Sequence, residues 1–354
     1  MKSELSDMFT NLETSENGKT LQFKINDLST SVVNGLRRTI LNDILNIGFG
    51  YEPEKTIKIN KNTTALHDEF LAHRISLLPV MLKNWANAPG QCEIDDYIFR
   101  LKVSQKSQES KNGHVTTDDF KVYHIVDGKE NEILNDCFPK EYKYKNAILI
   151  TRFPHRDSIS QELDIECKLT KGTHAKHACF SPTVICVAYE NEDEDKSHNF
   201  IVESMGIWQP NRLVSKGFDN LLYKCNHIIT TLRNGEGSKY DGNYMAIDYT
   251  LKNESHTMGN MIQEWIYNHE FGKDSKGKNI THISYHEPHP LENSIIIRVV
   301  LKESKKKPIT DFDEYKDKAT NLLVNYVYSL KEHLEECSQN WLDLKHPEKI
   351  TLLE

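Results

Sequence analysis

The chain has 354 residues, of which 52 are acidic and 44 are basic, and its formal net charge is −8. Single hydrophobic cores usually stop growing at about 250–300 residues, so two packed domains are expected. The acidic balance disfavours a protein that mainly neutralises phosphates along a duplex, and no apolar run approaches the ~20 residues that a membrane-spanning helix requires. The 7 cysteines include no CxxC spacing, which predicts reduced thiols in an intracellular setting.

The first elements are predicted after a polar segment. Residues 1–18 lack the apolar run of a signal peptide and are predicted to be a flexible tail. Leu21, Phe23 and Ile25 alternate with polar residues, as in a half-buried strand. A helix is predicted over residues 32–44, because apolar residues recur there at steps of three and four.

A second strand and helix complete the first predicted unit. Ile57 and Ile59 indicate the strand. The helix is predicted to bury one stripe, which ends before a proline: Leu66, Phe70, His73 and Leu77. Residues 83–160 have weak periodicity and are predicted to form an inserted, mostly β subdomain. The larger domain is therefore expected to be discontinuous, with segments 19–82 and 161–233.

The second half repeats the pattern of the first. Residues 234–243 have the composition of a linker, and residues 244–354 are predicted to form a smaller domain with a sheet, a helix on it and a terminal helix. Each half ends in a helix with a seam of apolar residues at steps of four and three. The seams comprise Val214, Phe218, Leu221, Cys225, Ile228 and Leu232 in one half, and Ala319, Leu323, Val327, Leu330, Leu334 and Cys337 in the other. The simplest partner for each seam is the other, so an α+β fold packed as an intrachain pseudo-heterodimer is predicted.

Three histidine groups invite a metal-site interpretation. The two histidines of segment 67–73 lie six residues apart, on opposite sides of a helix, whereas a zinc-binding HExxH helix needs them four apart. Segment 282–290 holds three histidines, but its two prolines favour a stiff bend. His174, His177 and Cys179 are the best candidates, although no fourth ligand is apparent. A metal-dependent hydrolase using either of the last two groups is one alternative function, and a stand-alone DNA-binding regulator is another.

Four motifs occur in an order similar to that of the alpha-like platform subunits of multisubunit RNA polymerases. They are Asn34-Gly35-Leu36-Arg37-Arg38, the DEFLAHR sequence at 68–74, His256-Thr257-Met258-Gly259-Asn260 and the EPHPLE sequence at 287–292. The segment 171–182 also resembles a loop of the larger alpha-like subunit, with His177 at the family histidine and Phe180 at the family tryptophan. Arg37 and Arg38 either cover apolar surface or form a fork for carboxylates of a partner. The resemblance favours the fork.

The resemblance implies a fusion of a third-subunit-like part with an eleventh-subunit-like part, without a catalytic site, metal or cofactor of its own. The implied partners are the two largest polymerase subunits, mainly the second largest, and the small zinc-binding ten- and twelve-type subunits, with little direct contact to nucleic acid and none to membranes. A fused chain suggests a large DNA virus, and thus the host cytoplasm and the virion. The residues predicted at subunit interfaces are Asn34, Leu36, Arg37, Arg38, His73, Arg74, His177, Phe180, Phe218, Leu221, Cys225, Ile228, His256, Gly259, Asn260, His289, Leu291, Leu323, Val327 and Leu330.

Overall fold

The computed structural model describes residues 8–15, 17–51, 55–82, 93–106, 113–140, 146–153, 161–191, 196–235, 237–272, 279–302 and 311–344. The strands in these ranges are β1 (Phe9–Thr14), β2 (Thr20–Asn26), β3 (Asn46–Phe49), β4 (Ile57–Asn62), β5 (Tyr97–Ser104), β6 (His114–Thr116), β7 (Phe120–Val126), β8 (Lys129–Ile133), β9 (Leu149–Arg152), β10 (Glu162–Gly172), β11 (Thr183–Glu190), β12 (Ser197–Ser204), β13 (Gly237–Lys239), β14 (Ile247–Lys252), β15 (Ile280–His286) and β16 (Ser294–Leu301). The helices of the same ranges are α1 (Thr30–Asn42), α2 (Asp68–Ser76), α3 (Pro210–Arg233), α4 (His256–Phe271) and α5 (Phe312–Leu342). None of these helices is long and apolar enough to cross a membrane.

Two four-stranded sheets share one topology. The first has the order β1-β2-β12-β11 and the second has the order β13-β14-β16-β15, with antiparallel pairing throughout. In each half a helix follows the second strand, and a long helix follows the hairpin that completes the sheet. The predicted α+β class and the repeat between the halves are therefore confirmed.

A third sheet lies between α1 and β11 in the chain and corrects the predicted domain boundaries. Its order is β3-β10-β5-β7-β8, and β4 also pairs with β10. Strand β10 pairs with β4 and with β5 along the same residues, so strands predicted to belong to two separate units form one continuous sheet. Residues 46–62 and 162–172 consequently belong with the predicted insert rather than with the first four-stranded sheet. Parts of the predicted insert, at 83–92, 107–112, 141–145 and 154–160, lie outside the described residues.

The prediction of a flexible tail is wrong for the part of it that the structure describes. Strand β1 pairs with β2, and Phe9 is only 2% exposed. The ring of Phe9 packs edge-on against Phe218 of α3 and Trp341 of α5, at centroid distances of 6.3 and 5.2 Å. Burial of a single Phe side chain contributes about 1.5–3 kcal/mol, and this contribution helps to hold the otherwise polar segment in the sheet.

The predicted linker is also partly ordered into the second sheet. Residues 237–239 form strand β13, which pairs with β14. Tyr240 lies beneath the guanidinium of Arg298, at 3.6 Å from the ring centroid, and Arg298 also forms an ion pair with Asp248 at 2.7 Å. The cation–π contact and the ion pair therefore fasten the start of the second half to its own sheet.

Candidate subunit interface

The main contact between the halves is the antiparallel packing of α3 against α5. At one end, Trp341 Nε1 donates a hydrogen bond to the Asn211 carbonyl at 3.2 Å, and at the other end Lys316 Nζ donates to the Gly235 carbonyl at 2.8 Å. The predicted seam residues are all at most 1% exposed: Phe218, Leu221, Cys225, Ile228, Leu323, Val327 and Leu330. The two helices thus cover each other, and within the described residues their seams form the inner surface of an intrachain clasp.

The two helical motifs meet at a second contact, between α1 and α4. Gly35 faces Met261, and any side chain at position 35 would overlap the Met261 methyl group. Arg38 Nε donates to Thr257 Oγ1 at 2.8 Å, and this bond also joins the two halves. The glycine in NGLRR therefore permits close approach of two helices. Gly35, Thr257 and Met261 are not among the predicted interface residues. A glycine inside a helix was the feature of the sequence that could have indicated a close helix contact here.

Arg37 and Arg38 have different surroundings. Arg37 donates from Nε and Nη2 to Asn34 Oδ1, at 3.0 and 2.9 Å, on the same helix. Leu36 is 1% exposed and belongs to the core. The two arginines therefore do not act as the predicted pair. Arg38 bonds to Thr257 of the same chain, whereas the described side-chain bonds of Arg37 hold it against its own helix. Arg37 and Asn34, both half-buried, remain proposals for contact with a partner.

A partly buried ion triad also bridges the halves. Lys224 Nζ on α3 lies 3.1 Å from Asp43 Oδ2 and 3.4 Å from Glu254 Oε2, which precedes α4. Burial raises the pKa of Glu254 above its ordinary value, against the opposing effect of Lys224. Burial by itself would lower the pKa of Lys224, but the Glu254 and Asp43 carboxylates outweigh it, so the pKa is raised and the ammonium stays charged. The triad ties the end of α1, the middle of α3 and the start of α4 together.

The prediction for α2 identified the wrong stripe. Phe70 is 65% exposed and Leu77 is 42% exposed, whereas Leu71 and Ile75 are fully buried. Both sets recur at helical spacing, and only the neighbouring strands decide which set turns inward. The side chain of Arg74 links α2 to β9, because it donates to the carbonyl oxygens of residues 149 and 150 at 3.2 and 3.0 Å.

The exposed side of α2 continues into an aromatic surface that we name the outer patch. It is formed by Tyr51, Phe70, His73, Leu77 and His177. The ring of His73 lies 5.3 Å from that of Tyr51 and 6.5 Å from that of His177. Aromatic side chains bring large contact area, and exposed apolar patches are typical of binding surfaces. The outer patch is therefore the clearest candidate for contact with another protein on this side of the chain.

His177 and Phe180, predicted together at an interface, have separate roles. His177 Nδ1 accepts a hydrogen bond from the Cys179 amide at 3.2 Å and caps a short 3-10 turn. Phe180 is 2% exposed, and its ring lies against Gly172 in a space that a side chain at that position would fill. Phe180 is therefore a core residue, and the prediction that it lies on an interface is wrong.

In the second half the motif residues shape local structure. His256 Nε2 lies 3.1 Å from Glu287 Oε2, and Gly259 leaves room for the ring of Tyr285. His289 Nδ1 accepts from the amide of Leu291 at 3.1 Å in the turn between β15 and β16. That turn displays Leu291, which is 90% exposed, while Asn260 is exposed on α4. Asn260, His289 and Leu291 are thus available for contact with another protein.

The candidate metal groups do not come together in the described residues. No group of three or more His, Cys, Asp or Glu side chains there could hold a metal ion. His174, His177, Cys179 and the three histidines of segment 282–290 all lie within the ranges described. Cys179 is buried, with 7% of its surface exposed.

Comparisons with known proteins give one matching domain and several similar chains. Residues 246–339 match the RNA polymerase Rpb3/Rpb11 dimerisation domain. The chain is 26% identical to the DNA-directed RNA polymerase II subunit RPB3 of Schizosaccharomyces pombe over 183 residues, which cover 50% of this chain and 57% of that protein. It is 27% identical over 187 residues to rpac1 of RNA polymerases I and III of Dictyostelium discoideum, covering 49% of each chain. A conjugation stage-specific protein of Tetrahymena thermophila is 27% identical over 210 residues, which cover 55% of this chain and 63% of that protein.

The chain spans about half to three-fifths of the length of these relatives. The domain that matches comprises α4 and α5 with strands of the second sheet, and these are the elements through which the second half contacts the first. The Rpb3/Rpb11-type domain and the homology to RPB3 and rpac1 therefore support a relationship of this chain to the alpha-like subunits of RNA polymerases.

Proposed function

We propose that the chain is a non-catalytic platform subunit of a DNA-directed RNA polymerase and combines third-subunit-like and eleventh-subunit-like parts in one polypeptide. The observation that carries this proposal is the clasp of α3 against α5, which joins two sheets of identical strand order. In a fused chain the clasp forms at a high effective concentration, so the two halves need no separate encounter. The outer surfaces then serve the rest of the assembly.

The proposed partners are the two largest polymerase subunits, mainly the second largest, and the small zinc-binding ten- and twelve-type subunits. The outer patch supports this proposal, since it gathers aromatic and apolar side chains that the described fold leaves exposed. Arg37, Asn34, Asn260, His289 and Leu291 are further proposed contact residues. We also propose a viral source, with the protein in the host cytoplasm and in the virion, and mass spectrometry of purified virions tests this part.

The test of the main proposal is affinity purification of the tagged chain from its native source. The expected result is recovery of both largest subunits with the wild-type chain. The double variant Phe70→Asp, Leu77→Asp should keep its thermal midpoint, because both side chains are exposed, but should lose about tenfold or more of the recovered large subunits.

The matched control is Leu134→Asp, because Leu134 is also exposed, at 80%, but lies after β8 and away from α2 in the chain. This variant should recover the large subunits as the wild-type chain does. Recovery of no polymerase subunit by the wild-type chain would refute the proposed function, and equal recovery by the double variant would refute the role of the outer patch.

A further inference from the structure

Strand β11 is an edge strand with an unusual surface. Within the described residues it pairs only with β12. Its large apolar side chains are exposed: Val184 at 54%, Ile185 at 43%, Val187 at 41% and Tyr189 at 54%. The strand contains no lysine, arginine or proline. Soluble proteins usually protect a free edge with such residues, because unpaired backbone groups beside apolar side chains attract another strand.

The equivalent edge in the second half has a more polar exposed surface. Strand β15 occupies the same place in the second sheet as β11 in the first. Its isoleucines point inward, with Ile280 at 0% and Ile283 at 7% exposure, and its exposed positions include Thr281 and His282. Two halves of the same topology thus differ in how much apolar surface the equivalent edge strand exposes. The apolar surface of β11 is therefore not a requirement of the fold.

The side chains of β11 are arranged as a binding row. Cys186 points toward α1, where its Sγ donates to the Arg37 carbonyl at 3.5 Å. Side chains alternate along a strand, so Ile185, Val187 and Tyr189 share the opposite face. Val187 stands beside Ile201 of β12, which extends the row onto the sheet. An added strand would place its own alternate side chains against this row.

The antiparallel order of the sheet sets the direction of the occupant, and the charge at one end of β11 sets the composition of its first residues. Glu190, the last residue of the strand, has a side chain that is 69% exposed. The sheet is antiparallel throughout, so an added strand that continues this order begins beside Glu190. Basic residues at the start of that strand would complement the acidic end.

We propose that β11 is completed by an antiparallel strand from another subunit of the polymerase assembly, with basic residues at its N-terminal end followed by apolar residues at alternate positions. This proposal rests on the function proposed above, since the strand comes from a member of the same assembly. Main-chain hydrogen bonds along the edge supply affinity, and the row of Ile185, Val187 and Tyr189 selects the alternate apolar side chains.

Hydrogen exchange on the free chain and on the complex, purified through a tag from the native source, tests the proposal. The outward amides of residues 184–190 should exchange at least about tenfold more slowly in the complex, whereas residues 280–286 of β15 should show no such change. Tyr189→benzoylphenylalanine provides a photo-crosslink. The crosslinked segment should belong to a polymerase subunit and should have the basic and alternating pattern described above.

Two variants sharpen the test. Val187→Lys places a charge on the row and should abolish both the slowed exchange of residues 184–190 and the crosslink from position 189. Because Val187 is exposed, the substitution should not change the thermal midpoint of the protein. His282→Lys on β15 is the matched control and should change neither. Both variants should still recover the two largest subunits.

The outcomes separate this proposal from the proposed function. A complex that contains the large subunits while residues 184–190 exchange as in the free chain would overturn strand addition and leave the platform function intact. Recovery of no polymerase subunit would overturn both. Protection of β11 that appears in the isolated chain and rises with its concentration would show that a second copy occupies the edge, and this too would overturn the proposal.

Discussion

The Lys224 triad offers the sharpest test of how the halves are held together. Replacing Lys224 with Met removes the cation but leaves Asp43 and Glu254 in place. The side chain of Glu254 is only 5% exposed and that of Asp43 is 25% exposed, so the stranded charge at Glu254 is largely shielded from solvent. Removing one member of a buried ion pair costs about 3–5 kcal/mol, and the partial exposure of Asp43 favours the lower end, ~3 kcal/mol.

The assay is urea unfolding of each variant, followed by circular dichroism and tryptophan fluorescence. The double variant Lys224→Met, Glu254→Gln should be about 1–2 kcal/mol more stable than Lys224→Met alone, because the buried carboxylate is then neutral. The matched control is Lys216→Met on the same helix. Lys216 pairs with Asp219 at 3.4 Å, with side chains that are 39% and 58% exposed, so its loss should cost less than ~0.5 kcal/mol.

Two results would refute this reasoning. A loss below ~1 kcal/mol for Lys224→Met would mean that the triad contributes no more than a surface ion pair. Additive effects of the Lys224 and Glu254 substitutions would mean that the two groups do not interact across the halves.

Three further predictions concern the clasp and its buried groups. Leu330→Ala in the buried seam should lower the free energy of unfolding by about 2–5 kcal/mol in urea titrations, whereas Leu342→Ala, at a position 58% exposed on the same helix, should change it by less than ~0.5 kcal/mol. Burial lowers the pKa of His333, so unfolding takes up a proton and stability is lost as the pH falls from about 6.5 through the folded-state pKa; thermal melts should show that His333→Asn reduces this loss. Burial raises the pKa of the Cys225 thiol to about 12, so a maleimide should label this thiol only after the chain is unfolded by denaturant, as peptide mass mapping would show.

Periodicity was a reliable guide where a helix had one possible apolar stripe. The seam on α3 recurs without interruption, and its members Phe218 and Leu221 are fully buried as predicted. Helix α2 carries two stripes at similar spacing, and the prediction selected the one containing Phe70, which is exposed. Local spacing cannot distinguish the two, because the choice depends on which strands arrive from elsewhere in the chain.

Motif resemblance did not determine the role of each residue. Phe180 was predicted at an interface because it stands where the family has a tryptophan, yet it fills a space beside Gly172 in the core. Arg38 was predicted to bind another subunit, yet it bonds to Thr257 of the same chain. In a fused chain, an interface between two parts becomes internal, so a motif residue can serve an interface without facing a separate partner.

The sequence by itself determined the α+β class, the repeat between the halves and the two seams that close the clasp, because these depend on the spacing of apolar residues within single elements. Only the tertiary structure decided that β1 joins the first sheet, that β10 joins the strands of the insert and that β11 has an apolar edge with no pairing strand among the described residues. Strand pairing joins residues far apart in the chain, as with Phe23 and Phe200. The alternation within one strand shows which side chains share a face, but the neighbour of that strand is chosen by long-range packing.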